Sequence, residues 1–319
     1  MRRRALLAAA ASLLSAGRAR ATAWPARPVR FIMPGGPGGN PDILARLWAQ
    51  RLTERIGQPV SVENRTGASG IIGTEAVMNA APDGYTLLFG YNQLVTLNTL
   101  LFRKLPYDAA KLTRVSLVSD APFVMLVPAE LPVRSVAEFV ALAKRRPGEL
   151  ALGTSGPGTF AHLSGEILMR EAGIELLHVP HRSTPRNELI AGQVQLCFEP
   201  TALAITLTQG SGAKVRALAV MGTEPEPMLP GVPLMTDSYA GFVVRIFHGI
   251  WGPPGMVPDA VAGMSEAIAE LVRDPWLQSR MAPLATRLIG TGPAALEAAM
   301  ARDMALWSGV VRDRGISLD

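Results

Sequence analysis

VRFIMPGGPGGNPDILARLWAQRL, residues 29–52, is the stretch on which the fold is decided. Val29–Met33 is a short run of β-type composition that stops at Pro34, which has no N–H for a ladder. Gly35 to Asn40 holds four glycines and must be a turn. Pro41-Asp42 then opens an apolar periodicity at Ile43, Leu44, Leu47, Trp48 and Leu52, the spacing of a helix with one buried face, and Gly57 ends it. Strand, glycine turn and helix thus follow one another within thirty residues.

Working outward, the unit recurs. Val60–Glu63 is a second strand, Arg65 to Gly70 a second glycine turn and Gly73–Ala80 a second helix; Tyr85–Phe89 follows the turn Asp83-Gly84 as a third strand. A second block has strands at Ser116–Val118, Phe123–Val127, Leu150–Gly153, Leu176–Val179, Val194–Phe198 and Val215–Val220. Between them lie helices at Ser135–Lys144, with a capping-box Ser135 and Glu138, at Phe160–Ala172 and at Pro185–Gly192. From Phe247 the chain becomes rich in proline and glycine, then closes with helices at Pro258–Arg273, Trp276–Met281 and Pro293–Arg312. Such alternation argues for an α/β protein of two lobes, each a mainly parallel sheet flanked by helices, with a cleft between. The expected division is 22–125 plus 248–319 for the first lobe and 126–247 for the second, two crossings that form a hinge.

The amino terminus reads differently. Arg2-Arg3-Arg4, the apolar run Ala5–Ala16 and the small-residue exit Ala19-Arg20-Ala21 have the order of a cleavable export signal over residues 1–21. The other reading, an anchoring helix, suffers from a run too short to span. Export to the periplasm with cleavage near Ala21 is expected, by either the general or the twin-arginine route. Five arginines fall in that leader; removing them from the 31 basic residues leaves 26, equal to the 26 acidic ones. No basic surface for nucleic acid is indicated. Cys197 is the only cysteine, so no internal disulfide can form, and its apolar neighbours suit a buried small residue better than a nucleophile.

The three glycine turns, Gly35–Asn40, Gly67–Gly70 and Gly153–Thr159, each stand after a strand and before a helix. Ligands of open α/β sheets sit beyond the carboxyl ends of strands, where glycine admits close approach and helix starts offer unpaired N–H groups. Any one such turn reads better as an ordinary connection; three in equivalent places, from both lobes, favour a binding cleft for an anion.

The motifs that carry a family likeness come in order along the chain. They are Trp24–Arg30, Gly38–Asp42, Gly57–Arg65, Gly67–Gly73, Ala81–Leu88, Lys104–Asp108, Gly158–Leu163, Gly192-Gln193-Val194 and Leu229–Pro233. Together they resemble the Bug family, the extracytoplasmic solute-binding receptors of tripartite tricarboxylate transporters, from about Trp24 to the C-terminus. The resemblance implies a type II, Venus-flytrap fold and a small carboxylated ligand held largely by backbone groups. By position, contacts from the first lobe would come from Gly36, Pro37, Gly38, Gly39, Asp42, Ala68, Ser69 and Gly70. Those from the second would come from Ser155, Gly156, Gly158 and Thr159. His162 matches the family's usual histidine, as a ligand contact or as a core hydrogen-bonding group.

Three positions depart from the family. Gly35 replaces an aromatic, His181-Arg182-Ser183 replaces Tyr-Lys-Gly, and Glu199-Pro200 stands where an Asp is usual. Arg182 and Glu199 are candidates for choosing the ligand, against the alternatives of a solvated rim or an inter-lobe ion pair.

Enzyme signatures are not met. Gly153–Pro157 and Gly67–Ile71 both miss the last glycine of G-x-S-x-G, and no phosphate-binding loop or metal-ligand spacing occurs. No catalytic residue, metal or cofactor is expected. The reading is a monomeric periplasmic receptor for a di- or tricarboxylate, an amino acid or an aromatic acid. Its partners would be the membrane components of a tripartite tricarboxylate transporter or, alternatively, a signalling sensor; a periplasmic hydrolase is the remaining alternative.

Overall fold

A computed structural model describes residues 24–210 and 212–318; the leader expected over 1–21, with its cleavage near Ala21, lies outside the described residues. β1 (Val29–Met33) pairs in parallel with β2 (Val60–Asn64) on one side and β3 (Thr86–Tyr91) on the other. α1 (Asn40–Ile56) lays Leu44, Trp48 and Leu52, all fully buried, on Phe31, Met33 and Phe89. Burial of each such side chain contributes about 1.5–3 kcal/mol. Gly57 ends α1 in the left-handed region at φ 70°, its N–H returning to Thr53 O at 3.2 Å. α2 (Ile71–Met78) follows β2 on the opposite face.

β4 (Thr113–Pro128) is one continuous strand of 16 residues where the sequence suggests two short ones. Its first part pairs antiparallel with β9 (Arg245–Gly252) and β10 (Arg287–Thr291), giving the order β2-β1-β3-β9-β4-β10. Its second part pairs antiparallel with β7 (Cys197–Pro200) and β8 (Val215–Val220). β5 (Ala151–Thr154) runs parallel to β6 (Leu177–Pro180) and bridges to the β7 edge at Leu152–Leu196. Both sheets are therefore mixed. Strands that carry a chain out of one lobe and back run in opposite directions, and β4 and β9 do so side by side. The switch falls where Pro122 still faces Arg245 and Phe123 already faces Pro200, slightly before the crossing expected near 125.

β9 escaped the sequence reading because Gly249 and the following Gly252-Pro253-Pro254 look like loop. In the structure an ideal Cβ on Gly249 would lie 2.7 Å from the Trp251 ring and 2.9 Å from Leu296, so glycine here serves packing inside a strand.

α4 (Val136–Arg145), after the four-residue α3 (Asn98–Leu101), starts at Ser135, whose Oγ accepts from Glu138 N at 3.1 Å. α5 (Phe160–Ala172), α6 (Arg186–Ile190) and α7 (Thr201–Thr208) follow β5, β6 and β7, respectively. α8 (Pro258–Leu271) and α9 (Pro275–Met281) complete the first lobe. α10 (Pro293–Arg314) differs from the expected division. Its Leu296, Ala299 and Met300 join the core around Trp251, whereas Trp307, Val310 and Val311 join the core around Phe139 and Phe198 in the second lobe. A helix of 22 residues is about 33 Å long, more than one lobe accommodates, and it makes a third link between the lobes. Among the described residues no helix is long and apolar enough to cross a membrane.

Candidate ligand-binding cleft

The Gly35–Asn40 turn is built by Asp42. This carboxylate, 2% exposed, accepts Gly38 N at 2.9 Å, Arg46 Nε at 3.0 Å and Asn64 Nδ2 at 2.8 Å. Asn64 also donates to Gly35 O at 2.9 Å. The bonds from Arg46, Gly38 and Asn64 outweigh the desolvation that would raise the Asp42 pKa and hold it below its usual value. Asp42 thus shapes the turn, and its oxygens are already committed. In the second turn Gly67, Ala68, Ser69 and Gly70 all have positive φ, and Asn98 Nδ2 holds the bend by donating to Ser69 O at 3.0 Å.

The third turn closes on its own side chains. Thr154 Oγ1 accepts Gly156 N at 3.2 Å, Thr159 Oγ1 donates to Gly156 O at 2.8 Å, and Gly158 N donates to His162 Nδ1 at 3.1 Å. His162 is 7% exposed and stacks on His178 with ring centroids 4.1 Å apart. Its accepting nitrogen serves the loop, which is the core role of the two offered by the sequence. Burial, with His162 beside it, depresses the His178 pKa to about 4, so that ring is neutral.

Between the lobes lies a cleft of about 470 Å³. Of the residues expected to bind ligand, Ser155, Thr159 and Glu199 are on its wall. Gly36, Pro37, Gly38 and Gly39 are represented there by the adjoining Asn40, while Ala68, Ser69, Gly70, Gly156 and Gly158 shape the turns without lining it. Asp42 and His162 are engaged as described. Arg182 is exposed and off the wall; the guanidinium in the cleft is that of Arg186, which the sequence reading passed over. Its signal was available: Arg186 follows Pro185 at a helix start beyond the end of a strand. Gln93 and Thr184 were also missed. Gln93 begins a π-helical turn, Gln93–Leu97, just past β3, and such a turn has no periodic signature of its own.

Most of the polar groups on this wall, Asn40, Gln93, Ser155, Thr159, Thr184 and Arg186, lie past the carboxyl end of a strand, and Glu199 is near the end of β7 itself. α1 starts there with Asn40, α5 with Phe160 behind its cap Thr159, α6 with Arg186 and α7 with Ala202. Helix starts carry partial positive charge and free N–H groups. Phe123, Phe160, Phe198 and Leu203 make the rest of the wall apolar. Glu199, 7% exposed, has its pKa raised to about 8 by burial, with Arg186 pulling the other way. Cys197 is buried and its thiol is pushed up by desolvation, in keeping with a packing role. Among the described residues no group of His, Cys, Asp and Glu is arranged to hold a metal ion.

A family model described as the tripartite tricarboxylate transporter family receptor matches residues 44–286. The chain is 32% identical over 304 residues to protein BugT of Bordetella pertussis, covering 93% of this chain and 92% of that one. It is similar to the solved periplasmic binding protein BugD, with a TM-score of 0.74 and 30% identity over 92% of this chain and 99% of that one. R. palustris Rpa4515 with adipate gives a TM-score of 0.79 and 29% identity over 92% and 99% of the two chains.

Proposed function

The chain belongs to the tripartite tricarboxylate transporter receptor family, and from that premise we propose that its inter-lobe cleft captures a small carboxylate in the periplasm and presents it to the membrane components of such a transporter. The carrying observation is the meeting of four helix starts, drawn from both lobes, at one partly apolar cleft. A carboxylate placed there accepts hydrogen bonds from amides that have no other partner within their helices. Ser155, Thr159 and Glu199 contact the solute together with Asn40, Gln93, Thr184 and Arg186, and Asp42 and His162 keep two of the turns in shape.

The lobes meet at the switch in β4 between Pro122 and Phe123 and at the start of β9. We take 24–122 with 245–300 as the first lobe and 123–244 with the end of α10 as the second. Closure is favoured by contacts the solute makes only when both walls reach it. The leader 1–21 is removed near Ala21, and the mature receptor works as a monomer.

The test is a thermal-shift and calorimetric screen of the mature chain from Thr22 against adipate, malate, citrate, glutamate and benzoate. At least one acid should raise Tm in a concentration-dependent way, since a ligand bound only by the native state stabilises it. If no acid in the panel shifts Tm or gives heat of binding, the receptor reading falls. Release of a chemically altered acid would also count against it.

A further inference from the structure

Arg186 and Glu199 face the same cleft from different elements, α6 and β7, and neither side chain makes a hydrogen bond or ion pair with another described residue, although the Arg186 N–H donates to Thr184 O at 2.8 Å. Arg186 is exposed on the wall, while Glu199 is more than nine-tenths buried at the floor. Buried carboxyl groups without partners are costly, and a cation left unpaired beside one is unusual. The neighbours do not resolve it. β4 offers Phe123 and Val124, α5 offers Phe160, and α7 offers Ala202 and Leu203. Among the described residues Arg186 is the one charged group that acts on Glu199, and it does so across space.

We propose that Arg186 and Glu199 form a subsite for the second carboxylate of a dicarboxylic acid, with Arg186 gripping that carboxylate and Glu199, as the neutral acid, donating a hydrogen bond to it. The inference rests on the receptor reading above and narrows it. The first carboxylate takes the helix-start amides; the apolar wall of Phe123, Phe160 and Phe198 receives the carbon chain between. A guanidinium presents paired N–H groups that match a carboxylate in two parallel bonds. A carboxylic acid held neutral by its surroundings is a strong donor to an anion, whereas the ionised form would repel it. A free amino acid is disfavoured for the same reason, because its ammonium would sit beside Arg186. Capture is therefore linked to a proton on Glu199.

The experiment measures Kd by calorimetry for two pairs of equal chain length, adipate with hexanoate and glutarate with glutamate, at pH 6.5 to 9. Wild type should prefer adipate over hexanoate by roughly tenfold or more, and glutarate over glutamate. Arg186→Gln should remove most of the adipate preference while hexanoate binding changes little, and Arg186→Lys should restore part of it. Adipate affinity should fall as pH rises through about 8, where Glu199 loses its proton. Glu199→Gln, which keeps a donor but cannot ionise, should abolish that fall. Circular dichroism checks that the variants are folded. If wild type binds these acids but Arg186→Gln leaves the adipate-to-hexanoate ratio intact, the subsite is wrong and the receptor reading stands. A preference for glutamate over glutarate would also overturn it, since Glu199 would then be an anion pairing an ammonium. If none of the four acids binds wild type while another acid does, this subsite falls alone; if nothing binds, both readings fall.

Discussion

The Glu199 carboxyl keeps its proton in the fold up to about pH 8, against about 4.5 when the chain is unfolded. Between those values the unfolded state gives up a proton that the native state retains, so stability falls as pH rises through the window. Glu199→Gln removes the effect. The variant should match wild type at pH 4 and exceed it by about 3–4 kcal/mol at pH 7 to 8. Urea titrations at both pH values check this, and equal stability at pH 7.5 would mean that the carboxyl is not held neutral. Asp42 shows the opposite treatment of a buried acid. Three donors converge on it, its pKa is lowered, and its ionised form is part of the structure. Burial raises the pKa of both acids; three donors outweigh it at Asp42, and at Glu199 no donor does.

At the scale of elements, each wall segment is a strand end, a turn and a helix start, and the turn carries the constraint. Gly158 has φ +73°, and an ideal Cβ on it would lie 2.9 Å from Leu101 and 3.1 Å from Leu318. Gly158→Ala should cost about 1–3 kcal/mol from backbone strain and crowding. It should also weaken ligand binding, because the same turn sets Ser155 and Thr159; thermal melts and the calorimetric assay read the two effects. The π-helical turn at Gln93 depends on a buried network in the same way. Asp303 accepts from Trp307 Nε1 at 3.0 Å, from Asn92 Nδ2 at 3.2 Å and from Thr96 Oγ1. Asn92 Nδ2 also donates to Arg245 O at 3.0 Å, tying the turn to the start of β9. Asp303→Ala leaves these donors without their acceptor and should lower stability by about 3 kcal/mol or more. A loss below 1 kcal/mol in chemical denaturation would show that water replaces the carboxylate.

At the scale of the molecule, among the described residues, β4, the start of β9 and α10 run between the two cores. Near the first two, Asp120 binds Arg245 through contacts of 2.6 and 2.9 Å and Arg287 at 3.2 Å, and Arg287 reaches Glu224 of the second lobe at 3.4 Å. The third link is apolar. Trp307, fully buried, packs on Phe160 with ring centroids 5.9 Å apart, directly behind the α5 start that lines the cleft. Trp307→Ala should cost about 3–5 kcal/mol. It should also loosen the second lobe's hold on α10, and differential scanning calorimetry should show one transition splitting into two. A single transition at unchanged Tm would refute this role.

The sequence by itself determined the α/β alternation, because period-2 and period-3.6 runs punctuated by glycine admit little else, and it pointed to the turns at the strand ends. The ordered motifs from Trp24 onward also gave the family. That Ser155, Thr159 and Glu199 line the cleft was legible because they stand beside glycine turns or on a strand end. Only the tertiary structure decided that Arg186 and not Arg182 enters the cleft, since an exposed arginine carries no sign of where it points. It also decided that Asp42 and His162 spend their acceptors on turns, that β9 is a strand despite its glycines, and that α10 serves both lobes. Each of these depends on which distant residues come to lie opposite, and local periodicity does not encode that.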